Sequence, residues 1–516
     1  MKNENSRLLN SMRNIINTAF VFVITMVFTL VVRMFLSRTM GQTYVGLTGV
    51  LTSVVASFSL TDLGIDSVFV FLLYKPLADH DHAQLSALVR LFRKVYVIIG
   101  SAFITIGLIA IPFLHLLIGK QAMNLPHIYL IYVLFMLNTG LSYFFSYYRI
   151  VLNADQRYYV IARITLIVTA ASNIAQIVSL ILFKNFIVYV ACLLISTLMI
   201  NLVIAVIVRS RYPSMRRISA GENHVSLHVK EVLKRNTIGG ISNKIGSLVV
   251  FSSDNILLAN FTTLSIVGMY SNYSLITQGI ASFVSKVISS ITATIGNLGT
   301  EQNVERNSEV FISLSFGMNT LILVITLPLL LVFNAFMRFW IGSGSLLSSS
   351  AVLLIVINAM LQLARYPSLT FIDAFGLQWI QRWKSVIEAL INLLVSLILL
   401  AVFHLGLEGV LLGTLASNIF VVTWYEPYIV LRETSGRQYV RYCKELVVSW
   451  ILFFLELGVG AVVLHFGFSQ GKTSLAHILI FVILLLITYL VCWVFLHNNK
   501  NFKYYQSLIL QRIRRS

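Results

Sequence analysis

The sequence predicts an all-α polytopic membrane protein, and its composition, its long apolar runs and its few cysteines support this. The chain has 516 residues, of which 58% are hydrophobic and only 11% are charged, and its mean hydropathy is +0.85. Soluble domains carry about 25% charged residues, so a soluble chain of this length would need far more polar surface. Runs such as "HILIFVILLLITYLVCWVFL", which begins at His477, lack the alternation of a membrane β-strand. Three widely spaced cysteines exclude a disulfide framework and a paired-cysteine metal motif.

The apolar segments divide the chain into about fourteen predicted transmembrane helices. A helix needs about 20 mostly apolar residues to cross the hydrocarbon core. The first segment is too long for a signal-peptide core and has no small-residue cleavage site, so we expect it to be retained. The second and eighth are long enough to be tilted or kinked. The segments lie near 14–36, 43–73, 95–119, 127–152, 159–183, 186–208, 237–261, 264–295, 309–333, 350–370, 385–404, 407–430, 446–466 and 476–497.

Basic residues predict the orientation of these helices. With the N-terminus placed inside, the inner segments carry thirty Lys and Arg residues and the outer segments carry six. The positive-inside rule therefore favours an even number of spans in the cytoplasmic membrane, with both termini in the cytoplasm. The net charge of +19 is spread over short cytoplasmic segments, which is typical of topology signals and of attraction to anionic lipids. It does not favour nucleic-acid binding.

Weak internal similarity predicts a duplication. The string "YVGLTGV" around Gly46 resembles "IVGMYSN" around Gly268, and "IVSLILF" around Ser179 resembles "LVSLILL" around Ser396. The two pairs are separated by nearly the same stretch of chain. A repeat of six spans keeps both copies in one orientation, so we expect two six-helix lobes related by a pseudo-twofold axis along the membrane normal, followed by two extra helices. The predicted parts are an N-lobe (1–208), a cytoplasmic linker (209–236), a C-lobe (237–430) and an extra helix pair with a basic cytoplasmic tail (431–516).

Charged residues inside the predicted spans are the main candidates for function. A charge in the middle of a membrane costs roughly 3 kcal/mol, so such a residue usually faces a cavity or a partner. Six of the seven candidates lie on spans one, two, seven and eight. The seven are Arg33, Asp62, Asp66, Lys244, Asp254, Lys286 and Glu388.

Matching positions in the two lobes carry opposite charges at two levels. Arg33 and Asp254 have nearly the same separation as Gly46 and Gly268, and both are expected toward the outer face. Asp62 or Asp66 and Lys286 are expected toward the inner face. We interpret these as inter-lobe ion pairs that act as outer and inner gates.

When one of these ion pairs breaks, its cation can bind an anionic substrate. Lys244, in the inner part of span seven, would add positive charge to the cavity. The alternative is that each charge lies near a span end and is simply solvated, which would apply best to Arg33 and Glu388.

Motifs of catalysis and metal binding are weak. "GFSQGKTS" resembles a phosphate-binding loop, but only three residues separate Gly467 and Gly471 where the motif needs four. His224 and His228 are four positions apart and lack a third ligand. A membrane-embedded glycosyltransferase or polymerase would need an acidic metal-binding motif and a large polar loop, which the sequence lacks. We therefore predict no enzyme, no metal and no cofactor.

The region 40–100 carries a pattern of small and aromatic residues that resembles one known family. The matching residues are Gly41, Tyr44 and Gly46 at the start of span two, Leu63-Gly64-Ile65 inside it, and Leu73-Tyr74-Lys75-Pro76-Leu77 at its end. This pattern resembles the bacterial polysaccharide exporters, the oligosaccharide-lipid flippases. They share a superfamily with multidrug/sodium antiporters and lipid II flippases, and their two six-helix lobes plus two helices agree with the predicted spans. Met40 departs from the pattern, because Leu more often precedes the glycine.

The resemblance implies that the chain moves an undecaprenyl-diphosphate-linked oligosaccharide from the inner to the outer leaflet, for capsule, exopolysaccharide or teichoic-acid-like polymer. Related flippases hold the diphosphate in a cationic cavity, and Arg33, Lys244 and Lys286 are the candidates here by position and charge. The implied partners are the lipid-linked oligosaccharide, membrane lipids and glycosyltransferases or the polymerase of the same pathway.

Two other functions stay open. A multidrug or cation antiporter of the same fold would favour acids over bases in its cavity, whereas this chain has three cations and three acids there. A membrane scaffold would need no buried charge at all. Polar and aromatic residues are further candidates for sugar contacts, or simply line the lumen: Tyr44, Asn272, Tyr273 and Gln278.

Overall fold

The computed structural model confirms the all-α prediction, because every regular element in the part of the chain that it describes is a helix. It describes residues 2–59, 65–79, 81–155, 157–213, 253–289, 291–292, 295–296, 303–434, 438–465, 475–497, 499–501 and 503. Within these residues nine helices are long and apolar enough to cross a membrane, or ten if one bent pair forms a single span. The protein is therefore a multi-pass membrane protein. The predicted number of fourteen stays unconfirmed, because within the described residues four predicted spans do not meet this criterion: those near 43–73, 237–261, 264–295 and 476–497.

The chain divides into two compact units. We call Phe20–Gly268 the N-unit, and Met1–Ala19 together with Met269–Ser516 the C-unit. The predicted linker lies outside the described residues from 214 onward, so its boundaries and those of the predicted lobes stay predictions.

The N-unit contains the first ten helices, the first of them only from Phe20 onward, and the described part of an eleventh. α1 starts in the C-unit and continues into the N-unit at Phe20. Span two, which is predicted to be tilted or kinked, is interrupted: its first helix ends at Phe58, and the following Ser59 has an extended backbone with ψ of 125°. The helices are α1 (Lys2–Met40), α2 (Gln42–Phe58), α3 (Ile65–Ala78), α4 (His82–Ile109), α5 (Leu114–Ile118), α6 (Lys120–Met123), α7 (Ile128–Tyr143), α8 (Ser146–Ala154), α9 (Tyr158–Leu182), α10 (Phe186–Arg211) and α11 (253–261).

The C-unit holds the remaining helices, the first of which begins shortly before the unit boundary. They are α12 (Leu264–Ser289), α13 (Val304–Trp340), α14 (Ser349–Ala364), α15 (Tyr366–Ala374), α16 (Arg382–Ala401), α17 (Leu407–Ser417), α18 (Thr423–Thr434), α19 (Tyr439–His465) and α20 (Leu475–Leu496). A π-helical turn, Asn418–Val422, joins α17 to α18.

Helix lengths repeat along the chain with the spacing that the sequence predicts. α7 and α14 each have 16 residues, and α8 and α15 each have nine. In each pair, the number of residues from the start of the first helix to the start of the second nearly equals the number from Gly46 to Gly268. In both copies the short helix follows the long one after a brief interruption, so the duplication includes the broken spans.

Helix caps repeat as well. Asp81 caps α4 by accepting hydrogen bonds from the backbone amides of Ala83 and Gln84 at 3.0 and 2.9 Å. Asn303, at the equivalent position of the repeat, caps α13 by accepting from the amide of Arg306 at 3.0 Å. Such side chains satisfy amides that have no partner in the first turn of a helix, so the sequence itself sets where these two helices begin.

The N-unit depends on a close backbone contact between two glycines at equivalent positions of the repeat. A Cβ atom at Gly46 would overlap the carbonyl oxygen of Leu264, and a Cβ atom at Gly268 would overlap the carbonyl oxygen of Gln42. The contact is reciprocal, because each glycine meets the residue four positions before the other. Only glycine leaves the room for α2 and the start of α12 to cross at this distance.

We expect Gly46→Ala and Gly268→Ala each to lower the free energy of unfolding by about 1–3 kcal/mol, because the added methyl meets backbone atoms that cannot rotate away. Thermal unfolding in detergent measures this. The matched control is Gly458→Ala in α19, where an added Cβ meets no atom within 4 Å. Equal melting temperatures for all three variants would contradict the proposed crossing.

Candidate functional site

Four ionised side chains form a buried charge cluster in the C-unit. Its members are Arg365, Lys384, Glu388 and Glu426, and the last three are at most 5% exposed. The Nζ atom of Lys384 lies 2.6 Å from Glu426 Oε1 and 2.7 Å from Glu388 Oε2. Arg365 places Nη2 2.8 Å from Glu426 Oε1 and Nη1 3.4 Å from Glu388 Oε1. Two cations and two carboxylates thus share one apolar site.

Breaks in two spans and one face of a third helix bring this cluster together. Arg365 is the single residue between α14 and α15, and Pro367 lies in the first turn of the second helix. Lys384 and Glu388 are one turn apart on α16, so they lie on the same face. Glu426 follows the π turn, which inserts a residue into one helical turn and so changes the face on which later residues lie.

The charge cluster is electrically balanced, and this limits what it can do. A buried ion pair is tolerated only when each charge is matched and hydrogen-bonded. Because no cation of the cluster is left over, it offers no net positive charge to a phosphate. Its geometry suits an ionic brace that fixes the adjacent ends of α14, α16 and α18.

This cluster corrects two expectations from the sequence. The alternative of a solvated span end is wrong for Glu388, which is buried and ion-paired. Arg365 and Lys384 count among the basic residues of predicted cytoplasmic segments, but both are paired inside the protein. Glu426 is not among the candidates at all. The signal for it is an acid within an otherwise apolar predicted span.

Arg33 lies on α1, where its side chain is half-buried. Its Nε atom is buried and has no hydrogen-bond partner among the described residues. Tyr189 of α10 is the neighbour that interacts electrostatically with its guanidinium. This tyrosine stacks on Phe186 with ring centroids 5.6 Å apart, and Phe186 contacts Tyr44 at 4.9 Å. Arg33 therefore lies beside an aromatic ladder, by which we mean Tyr44, Phe186 and Tyr189.

The other predicted site residues are only partly described. Asp254 is half-buried in α11, and Lys286 is exposed in the last turn of α12. The side chains of Asp62, Asp66 and Lys244 lie outside the described residues. The predicted gate pairs and the cationic role of the two lysines therefore stay predictions.

Two of the four residues considered for sugar contacts are packing residues. Tyr273 is fully buried, donates a hydrogen bond to Asn334 Oδ1, and accepts one from the amide of Leu347 at 3.3 Å. Asn272 is also fully buried. Tyr44 is half-buried and Gln278 is exposed, so these two stay available to a ligand.

In the N-unit, a second group of polar and charged side chains lies near the ends of α8 and α10. Arg209 donates from Nε to the Tyr148 hydroxyl at 2.6 Å and lies 5.3 Å from the centre of that ring. Just beyond α10, the Tyr212 hydroxyl donates to Asp155, which also pairs with Arg157 at 2.6 Å. Burial, and then the bond to Asp155, raise the pKa of Tyr212. A phenol thus holds Arg209 here, where carboxylates hold Arg365 in the C-unit.

We expect Glu426→Gln to lower the free energy of unfolding by about 3–5 kcal/mol, because it leaves a buried cation unmatched. The double variant Lys384→Met with Glu426→Gln removes one charge of each sign and should lose less than Glu426→Gln alone. Thermal unfolding followed by labelling of the native cysteines measures both.

The control is an exposed ion pair of the same unit. Arg441 and Glu309 are 3.7 Å apart, with side chains 46% and 60% exposed. Glu309→Gln should cost under about 1 kcal/mol. A loss from Glu426→Gln as small as this, or a double variant that simply adds the two single losses, would show that the cluster is not coupled.

Comparison with known proteins assigns this fold. The sequence profile of the family described as "polysaccharide biosynthesis protein" matches residues 11–295, which is more than half of the chain. No curated protein sequence shows significant similarity to it. The solved structure of the lipid II flippase MurJ in an inward closed conformation is similar, with a TM-score of 0.63 and 14% identity, and the match covers 94% of this chain and 99% of that one.

An inward-facing multidrug resistance transporter of the MATE family, in the MOP superfamily, is similar as well. Its TM-score is 0.60 at 14% identity, and the match covers 81% of this chain and 99% of that one. The fold is thus one that transporters and flippases share, in agreement with the prediction of a transport protein rather than an enzyme. With residues 11–295 matched, the chain is a member of the polysaccharide biosynthesis protein family, built on the fold of the MOP superfamily.

Proposed function

We propose that this protein flips an undecaprenyl-diphosphate-linked oligosaccharide repeat unit across the cytoplasmic membrane by alternating access, for export of a capsule, exopolysaccharide or teichoic-acid-like polymer. Membership of the polysaccharide biosynthesis family supports the substrate class. Similarity to the fold of a lipid II flippase supports a mechanism in which the headgroup passes through the protein while the lipid tail stays in the bilayer.

The observation that carries this proposal is the environment of Arg33. Its guanidinium is half-buried in a transmembrane helix, and a tyrosine is its electrostatic neighbour. A cation in such a place gains much from an anionic ligand, because charges attract strongly where water is scarce. A diphosphate carries about two negative charges, so it is a suitable ligand.

The aromatic ladder adds a contact for the sugar part of the substrate. Phe186 and Tyr189 are buried, whereas Tyr44 is half-buried and so can present its ring and hydroxyl to a ligand. Tyrosine combines an apolar face with a polar tip, which suits a sugar ring. The diphosphate would then lie at Arg33, next to the Tyr189 end of the aromatic ladder. The sugar would lie at Tyr44, at the other end.

Gate ion pairs would convert binding into alternating access. In this proposal Arg33 pairs with Asp254 toward the outer face, and Lys286 pairs with Asp62 or Asp66 toward the inner face. Lys244 adds positive charge to the cavity. Both termini would lie in the cytoplasm, where glycosyltransferases or the polymerase of the pathway supply the substrate or take it onward.

A cation antiporter is the second candidate, because the fold is equally that of a multidrug transporter. The charge at Arg33 argues against it, since a buried guanidinium repels a cationic substrate. The two functions also predict opposite results for the same variant.

Replacing Arg33 tests the anion site. We expect Arg33→Gln to reduce flipping of the lipid-linked glycan at least about tenfold, which corresponds to the loss of about 1.4 kcal/mol of binding, while Arg33→Lys retains part of the activity. A leaflet-accessibility assay of the glycan in a complemented deletion strain measures this. Arg38→Gln, at an exposed position on the same helix, is the control. Unchanged flipping with Arg33→Gln, or faster efflux of a cationic dye, would favour the antiporter.

Charge exchange tests the inner gate. Asp62→Lys and Lys286→Asp should each reduce flipping, because each places like charges at one level, and the double variant should recover part of the activity. The same assay measures it, with immunoblots to confirm equal amounts in the membrane. If Lys286→Ala and Asp62→Ala both leave flipping unchanged at normal expression, the hypothesis of an inner gate formed by these ion pairs is wrong.

A further inference from the structure

Glu456 is a carboxyl group in the apolar part of α19 and is not among the candidates from the sequence. Its Oε2 atom is buried and has no hydrogen-bond partner among the described residues. An ionised carboxylate in such surroundings needs a cation or several donors. The position therefore requires either a counterion or a proton.

Helical periodicity places Glu456 on the packed face of α19. Ser449, Leu452 and Phe453 precede it by seven, four and three positions and are all buried. Gly460 follows it by four positions, and a Cβ atom there would overlap the side chain of Leu330 on α13. Positions three, four and seven apart share one side of a helix, so this carboxyl points toward α13 rather than outward.

α20 also contacts α13 on the side where α19 packs. Thr488 is 3% exposed and donates a hydrogen bond to the carbonyl oxygen of Val324 on α13 at 3.0 Å. Cys492, one turn later, is 1% exposed and interacts electrostatically with Glu456. The three helices α13, α19 and α20 therefore pack around this half-buried side chain, beside the thiol of Cys492.

No cation in the described part of the neighbouring helices is near enough to neutralise Glu456. The ionisable residues of α13 lie in its first turns or at Arg338, which at 1.5 Å per residue is about 12 Å beyond Leu330 along the helix. α14 has no ionisable side chain, and Arg365 at its end is already paired in the charge cluster. On α20, His477 belongs to the first turn, about four turns before Cys492, and Tyr489 carries no charge at neutral pH.

On α19 itself the other charged residues are confined to the ends of the helix. Arg441, Lys444 and Glu445 lie in its first two turns, and His465 is its last residue. Glu445 lies about 16 Å before Glu456 along the axis. A proton is thus the counter-charge that fits the space.

We propose that Glu456 is a proton-binding site in the C-terminal helix pair, which holds a proton while α13, α19 and α20 are packed and exchanges it with water when they separate. The chemical step is reversible: the carboxyl O–H bond breaks, the proton passes to water, and the carboxylate keeps the electron pair. If the proposed flipping is correct, this exchange couples it to a proton gradient. The proton site goes beyond that function and has a readout of its own.

Dicyclohexylcarbodiimide, a lipid-soluble reagent that adds to protonated carboxyls, tests the site in the full-length protein in liposomes. We expect mass spectrometry to find the adduct on Glu456 at pH 6 and much less of it at pH 9. Glu456→Gln should remove the adduct. Glu445, at the cytoplasmic end of the same helix, should stay unmodified by this reagent. Absence of the adduct on Glu456 would overturn the site, whether or not the protein flips a glycan.

A second measurement tests coupling. The rate of glycan flipping in wild-type vesicles should respond to an imposed pH gradient, and Glu456→Gln should abolish this response. Glu456→Asp, which keeps an acid, should retain part of it, and Glu445→Gln should retain all of it. A labelled Glu456 with an unchanged gradient response in Glu456→Gln would overturn coupling. Failure of wild-type flipping would count against the proposed function, while the adduct still decides the proton site.

Discussion

The structure depends above all on how charge is balanced where water is scarce. An ionised side chain inside a membrane span must pair with an opposite charge, be neutralised by losing or gaining a proton, or be neutralised by a bound ligand. Three sites of this chain differ in this respect. The charge cluster pairs its members internally, Arg33 has an aromatic neighbour and a buried Nε without a partner among the described residues, and Glu456 has an apolar interface around it. These environments imply different roles, because only a charge without an internal counter-charge gains electrostatic energy when an ion or ligand of opposite charge binds.

The internal repeat shows which features of the fold are fixed and which are free to change. Helix lengths, helix caps and the reciprocal contact of Gly46 with Gly268 recur at one nearly constant spacing, because they set how helices begin and cross. The acids of the charge cluster do not recur in this way. At the same spacing, Glu388 corresponds to Leu166 and Glu426 to Ile204. Helix geometry is thus common to the two copies, whereas the two carboxylates of the charge cluster belong to the second copy.

Hydropathy and internal repeats are enough to predict the helical class and the spacing of the duplication. They cannot predict the charge cluster, because counting basic residues near span ends treats each one as solvated. Whether Lys384 is solvated or paired depends on which face of its helix it occupies and on the turn that orients Glu426, which are properties of packing in three dimensions. Glu456, like Glu426, is visible in the sequence as an acid within an apolar run, but whether such an acid meets a cation depends on the neighbouring helices, which the sequence does not specify.

Charge balance also bears on the direction of transport. A diphosphate carries about two negative charges, and moving each one outward across a membrane that is negative inside is favoured by about 2.3 kcal/mol per 100 mV. In the proposed mechanism this gain is realised only if the cation that holds the substrate does not travel with it, and a guanidinium fixed on a transmembrane helix would meet this condition. A balanced brace in the C-unit adds no net charge to the movement. If Glu456 passes a proton inward as proposed, each proton moves one positive charge toward the negative side, so the electrical gradient would add to the pH gradient.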